Sequence, residues 1–212
     1  MYDHARYPQT GRQHGHEPHV GVIPRRPNNP AKSFCRLLVA EGAALMTPEN
    51  DDGRSFPLFK ARKSVEQVEE SSDLAPKFDT DGLIPCITTD ADTGDVLMLG
   101  YMNNEALKRT IETEEAHYWS RSRGCLWHKG SSSGLIQRVI EMRIDDDQDA
   151  VWLRVQVGGS GASCHVGYRS CFYRSVPLGQ TENITPQLKF EEATKLFEPT
   201  DVYGNAPNPT RL

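Results

Sequence analysis

Three carboxylates at every second position, Asp145, Asp147 and Asp149, stand in the acidic run Asp145-Asp146-Asp147-Gln148-Asp149. On a strand or an extended turn, alternate side chains point the same way, so the three present oxygens together, the donors that hard cations such as Mg²⁺ prefer. Shortly after comes Ser163-Cys164-His165-Val166-Gly167-Tyr168-Arg169-Ser170-Cys171, whose two thiols and imidazole suit zinc. A second cluster, Trp119-Ser120-Arg121-Ser122-Arg123 followed by Trp127-His128-Lys129 and the loop Gly130-Ser131-Ser132-Ser133-Gly134, suits phosphate. Arg121 and Arg123 can fork onto phosphate oxygens, Lys129 adds a point charge, and Ser120, Ser122, Ser133 and the glycines let donors approach an anion closely. The cluster matches neither a Walker loop nor a dinucleotide fingerprint. A hard-ion comb this near a soft-ion cluster fits an enzyme better than a scaffold.

Each cluster has a plainer reading. The acidic run could be a solvated turn, Cys164 and Cys171 ordinary buried thiols, and His165 a residue satisfying a backbone bond. Trp119 and Trp127 read as core or pocket walls, Arg121 and Arg123 as solvated strand residues, and His117 and His128 as structural. A calcium module is a weak reading, because in the EF-hand pattern Ala150 replaces glycine and Gln156 replaces the bidentate glutamate. A structural zinc site wants four ligands, and only Cys164, His165 and Cys171 are evident in one chain.

The elements that must position these groups begin near Phe78. Leu83 to Asp90 and Val96 to Met102 form a hairpin across Asp92-Thr93-Gly94. Asn103 or Asn104 caps a helix carrying Ala106, Leu107 and Ile111 on one face and ending near Glu114. Ala116 to Ser120, Val139 to Ile144, Ala150 to Val157 and Phe172 to Val176 read as strands, and Leu188 to Phe197 as a helix, followed by a loose tail. The fold class is α+β, mainly β, a single domain with one or two helices rather than a βαβ fold. Residues 1–77 are an extension, largely disordered, 78–177 the domain, and 178–212 a tail with a short helix. Residues 1–33 carry His4, His14, His16 and His19 among many Pro, Asn, Gly and Arg and read as disordered, Leu37-Leu38-Val39-Ala40 faintly imitates a signal peptide, and a start at Met46 is an alternative.

Composition narrows the partners. Lys and Arg number 24 against 29 Asp and Glu, a net charge of −5 that speaks against nucleic-acid binding by phosphate neutralisation. No apolar run reaches the roughly 18 to 20 residues that span a bilayer. The five cysteines are odd in number and irregularly spaced, as reduced thiols of a soluble cytoplasmic protein are.

The chain resembles the phosphoribosyl-AMP cyclohydrolases. The resemblance runs from Gly82-Leu83-Ile84-Pro85 through Val96 to Asn103, Ala116 to Arg123 and Leu126 to Gly130, to Ser163-Cys164-His165 and Arg169 to Arg174, about half the chain. It implies a compact, intertwined, mostly β homodimer with metal sites at the subunit interface. It implies Mg²⁺ at Asp145, Asp147 and Asp149, and Zn²⁺ at Cys164 and Cys171 with a third ligand donated across the dimer. That third ligand is usually a cysteine, and this chain has Asp146 there, a harder and weaker donor for zinc. Cys86 and Cys125 are not singled out as substitutes by their spacing. The implied reaction is hydrolysis at N1–C6 of the adenine ring of 1-(5-phosphoribosyl)-AMP, a small-molecule nucleotide, in the third step of L-histidine biosynthesis. His165, next to a metal ligand and titrating near neutrality, is the expected proton shuttle. Trp119, Ser120, Arg121, Ser122, Arg123, Lys129 and Ser133 are the expected substrate contacts. A catalytically impaired homologue, with Asp146 as the lesion, and a zinc-stabilised interaction module are the alternatives.

Overall fold

The computed structural model describes residues 58–179, 185–206, 208 and 210, and among these Ser64 starts the first helix. Its Oγ accepts the Gln67 N–H at 3.0 Å, supplying one of the bonds that the first turn of α1 (Val65–Glu70) lacks. Val68 and Ala75 are buried, and Phe59 and Phe78 pack at the edge of the core. Organised structure therefore starts upstream of Phe78. The expectations for residues 1–33, for Leu37 to Ala40 and for a start at Met46 lie outside the described residues.

The hairpin forms as its turn chemistry predicts. Asp90 Oδ1 accepts the N–H groups of Asp92 and Thr93, and Gly94 takes φ +79° between β1 (Ile84–Asp90) and β2 (Val96–Met102). Asn103 Oδ1 then caps α2 (Asn104–Thr113) by accepting the Ala106 N–H at 2.9 Å, and Glu114 ends it at φ 56°. The helix buries Ala106, Leu107 and Thr110.

β3 (His117–Ser120) and β4 (Cys125–His128) make a two-stranded ribbon, while β5 (Gln137–Ile144) and β6 (Val151–Val157) join the hairpin in a four-stranded sheet of order β2-β1-β6-β5. β1 and β6 pair in parallel and the other neighbours antiparallel. One face of this sheet meets α2 and the ribbon in a core of Ile84, Cys86, Leu97, Met102, Leu107, Tyr118, Leu153 and Val155. Each large apolar side chain fully buried there contributes roughly 1.5–3 kcal/mol. The α+β, mainly β class is borne out, with α2 the helix between residues 78 and 177.

Three expectations are corrected. Phe172 to Val176 keeps only the short β7 (Arg174–Ser175). Leu188 to Phe197 is not a helix: its first residues form β8 (Lys189–Phe190) against β7, because the Glu191 N–H is taken by the Tyr173 carbonyl at 2.9 Å. The tail expected to be loose contains α3 (Pro199–Tyr203), opened by proline at its first position. Among the described residues no helix is long and apolar enough to cross a membrane.

Candidate functional site

The segment from Ser163 to Cys171 folds back on itself. Ser163 N–H bonds to Arg169 O at 2.9 Å, Cys164 N–H to Tyr168 O at 3.1 Å and Gly167 N–H to Cys164 O at 3.0 Å. Gly167 lies at φ +102°, and a Cβ there would strike the Phe197 carbonyl, so only glycine fits. The loop is fastened to the hairpin by the Cys171 N–H on Leu97 O at 2.8 Å, and by Arg169, whose guanidinium reaches Asp95 at 2.6 Å and Asp90 at 3.1 Å.

This fold-back brings the two thiols together. A hydrogen bond from Cys171, with others from His165 and the Val166 amide, lowers the Cys164 pKa from the usual thiol value to about 4. Cys171, left with the proton beside that thiolate, is raised. The pair thus loses a first proton readily and a second reluctantly. His165 is raised, chiefly by its bond with Cys164, and its Nε2 is buried with no hydrogen-bond partner. Cys86, by contrast, is pushed up to about 12 by burial in the core and is chemically inert there. Cys86, Cys164 and Cys171 are free thiols while Cys125 is disulfide-bonded, which corrects the expectation of reduced cysteines throughout.

A buried polar relay holds this loop. Tyr118 OH donates to Gln137 Oε1 at 2.8 Å and lies 2.7 Å from Thr88 Oγ1, and Gln137 Nε2 donates to Ser163 Oγ at 2.8 Å. Lys129 Nζ donates to the Ser163 carbonyl at 2.7 Å, and burial lowers its pKa against the opposing pull of the two thiols.

The acidic run is the turn between β5 and β6. Gln148 takes φ 59° and turns inward, where its amide receives the Ala75 N–H at 2.8 Å and donates to Val68 O at 2.9 Å and Asp73 O at 3.0 Å. That reversal leaves Asp145, Asp147 and Asp149 on the outside with carboxylate oxygens within 4.8 Å of one another. Asp145 Oδ1 also receives the Asp149 and Ala150 amides at 2.8 and 2.9 Å. The Lys77 ammonium lies 3.1 Å from Asp147 Oδ2 and 3.0 Å from Asp149 Oδ2, a cation already seated on the comb. Asp146 is exposed beside them.

An open cleft lies between the β2 edge and the β3–β4 ribbon, lined by Leu99, Tyr101, Trp119, Ser120, Arg121 and Trp127 among others. Arg121 and Ser122 sit in the ribbon's turn, and the Arg121 guanidinium stacks 3.8 Å above the Tyr101 ring. Arg123 donates to Ser120 Oγ at 3.0 Å. Of the residues expected at the substrate, Trp119, Ser120, Arg121 and Ser122 share this cleft; Arg123 flanks it, Lys129 is buried at the thiol loop, and Ser133 lies in the Gly-Ser loop. His117 and His128 stack at 4.3 Å across the ribbon, with the His117 Nδ1 2.8 Å from Glu115 O and the His128 Nε2 2.7 Å from Glu115 Oε2. Sequence reasoning missed Thr88, Tyr118, Gln137 and Glu192. A tyrosine on an apolar strand and a glutamine opening another carry no pattern that announces a shared partner.

A thiol prepared to ionise beside a buried, unsatisfied imidazole nitrogen serves chemistry rather than packing. Set in a small α+β domain with a guanidinium-rimmed cleft, it marks a candidate active site. Residues 98–173 match the sequence profile of the family Phosphoribosyl-AMP cyclohydrolase. A protein of that name from Nitrobacter winogradskyi is 55% identical over 141 residues, 66% of this chain and 94% of that protein. One from Rhodopseudomonas palustris strain BisB18 is 55% identical over 140 residues, 66% and 93%. One from Bradyrhizobium sp. strain BTAi1 is 59% identical over 128 residues, 60% and 95%. The chain belongs to the phosphoribosyl-AMP cyclohydrolase family.

Proposed function

We propose that this chain hydrolyses the N1–C6 bond of the adenine ring in 1-(5-phosphoribosyl)-AMP, the third step of L-histidine biosynthesis, as a metal-dependent homodimer in the cytoplasm. The observation that carries the reading is the Cys164–Cys171 pair, two thiols hydrogen-bonded to each other by the fold-back of the loop within the stretch that matches the family. The residues fit the implied metals. Two soft donors, one of them readily ionised, beside the His165 imidazole suit zinc, with Asp146 of a second copy as the further ligand. Three clustered carboxylates, two of them already holding an ammonium, suit Mg²⁺. Zinc bound there supplies a Lewis acid that makes water nucleophilic near neutral pH.

The chain's own residues do the rest. Arg121 and Ser122 bind a substrate phosphate at the turn, where two-pronged guanidinium bonds fix orientation, with Arg123 alongside. Trp119 and Trp127 wall the cleft and exclude water from one side of the ring. Water oxygen bonds to C6, the N1–C6 bond breaks, N1 takes a proton and the exocyclic nitrogen stays as the carboxamide. His165, buried next to Cys164 and hydrogen-bonded with it, moves the proton. Dimerisation is supported by the outer sheet face, where Ile87 and Leu99 pair across strands and both are exposed.

Purified protein given phosphoribosyl-AMP with Zn²⁺ and Mg²⁺ should change its ultraviolet absorbance as the ring opens, and a chelator should stop it. Cys164→Ala should lose turnover and zinc while keeping its circular dichroism. Full activity in that variant removes the zinc reading; no turnover in the metal-loaded dimer points to an impaired homologue.

A further inference from the structure

Glu192 lies beyond residues 98–173, which match the family profile, and reaches back to the thiol loop. Its Oε2 accepts the Arg169 N–H at 2.7 Å and its Oε1 the Ser170 N–H at 2.9 Å, the two amides just before Cys171. A carboxylate with both oxygens on consecutive backbone amides holds that backbone as a charge-assisted clamp. The residues around it fasten the same loop: Glu191 N–H bonds to Tyr173 O at 2.9 Å, Leu196 N–H to Gly167 O at 2.7 Å, and the Phe190 ring packs on Tyr168 and Tyr173. The contribution of the Glu192 carboxylate is to the geometry of the loop backbone.

We propose that Glu192 is a positioning residue of the zinc site: by accepting the Arg169 and Ser170 amides it fixes the Cys171 sulfur against Cys164, so that the two donors are set before metal arrives. The inference rests on zinc at these cysteines. Partners that orient metal ligands typically carry about 10- to 100-fold of metal affinity, so their loss shows in metal release.

The full chain is compared as wild type, Glu192→Ala and Glu192→Gln. Amide hydrogen exchange at Arg169 and Ser170 is measured on zinc-free protein, zinc release to a chromogenic chelator on loaded protein, and kcat and KM at saturating metal. Glu192→Ala is expected to speed exchange at both amides, accelerate zinc release by about 10-fold or more, and lower kcat with KM unchanged. Glu192→Gln, which keeps one acceptor oxygen and the side-chain volume, is expected to fall between, and it carries the test if the alanine variant does not fold. Zinc release equal to wild type in either variant, whatever the melting temperature does, overturns the proposal. Wild type that holds no zinc removable by Cys164→Ala overturns the zinc reading itself, and that is seen before any Glu192 variant is made.

Discussion

Lys77 occupies the place on the carboxylate comb that a metal ion would contest. Its hydrogen bond to Asp149 is the main reason that carboxyl titrates below the usual range, and the bonds to Asp149 and Asp147 raise the Lys77 amine in return. Exposed pairs of this kind are weakened by solvent screening and contribute little, so the ammonium is displaceable. Lys77→Gln removes a like charge from the ion's path and should tighten Mg²⁺ binding by up to about 5-fold, measured by titration calorimetry. Weaker Mg²⁺ binding in the variant would show that Lys77 supports the site rather than competing for it. The alternate spacing of Asp145, Asp147 and Asp149 was legible, because period two was enough to group them. The inward turn of Gln148 was not, since a glutamine at positive φ is held there by partners more than seventy residues away in sequence.

Among the elements, the loop between β4 and β5 depends on one glycine. Gly130 stands at φ +89°, and a Cβ there would meet the backbone of Leu135 and Ile136. Gly130→Ala combines a disfavoured backbone region with a clash that no side-chain rotation relieves, and should cost about 3 kcal/mol or more in urea unfolding. A loss under about 1 kcal/mol would mean that the loop shifts freely. Elements with local signals were readable: the Asp92-Thr93-Gly94 turn, the cap at Asn103 or Asn104, and the apolar runs of β1, β5 and β6. Leu188 to Phe197 was misread because its apolar spacing suits a helix, while its backbone groups are claimed by Tyr173 and Gly167 across the fold. The β4 strand, half-buried along its length, shows no alternation to detect.

For the whole molecule, acid exposes the burial of imidazole. His117 is lowered, first by burial, with His128 and Arg109 also disfavouring its charge and the Glu115 carbonyl and carboxylate favouring it. As pH falls through about 6.5 the unfolded chain takes up a proton that the folded His117 refuses, so the unfolded state binds more protons and stability declines until the folded value is passed. His165, raised by Cys164, acts in the opposite sense: its stabilisation is present at low pH and lost as pH rises through its folded value. The two are separated by His117→Phe, which keeps a ring against His128 without titrating. Wild type should lose stability relative to this variant between pH 7 and pH 5 in urea unfolding; parallel curves would place the buried proton elsewhere.

The sequence by itself determined the chemistry available: a hard-donor comb, a soft-donor loop, a cationic turn, and the strands and capped helix of an α+β domain, since these follow from residue type and short-range spacing. Only the tertiary structure decided which of them meet. Parallel pairing of β1 with β6, the Thr88–Tyr118–Gln137–Ser163 relay, the withdrawal of Lys129 to the thiol loop and the Glu192 clamp all join residues far apart in the chain. Such contacts are selected by burial and by the need to satisfy every buried polar group at once, a condition that no local stretch of sequence expresses.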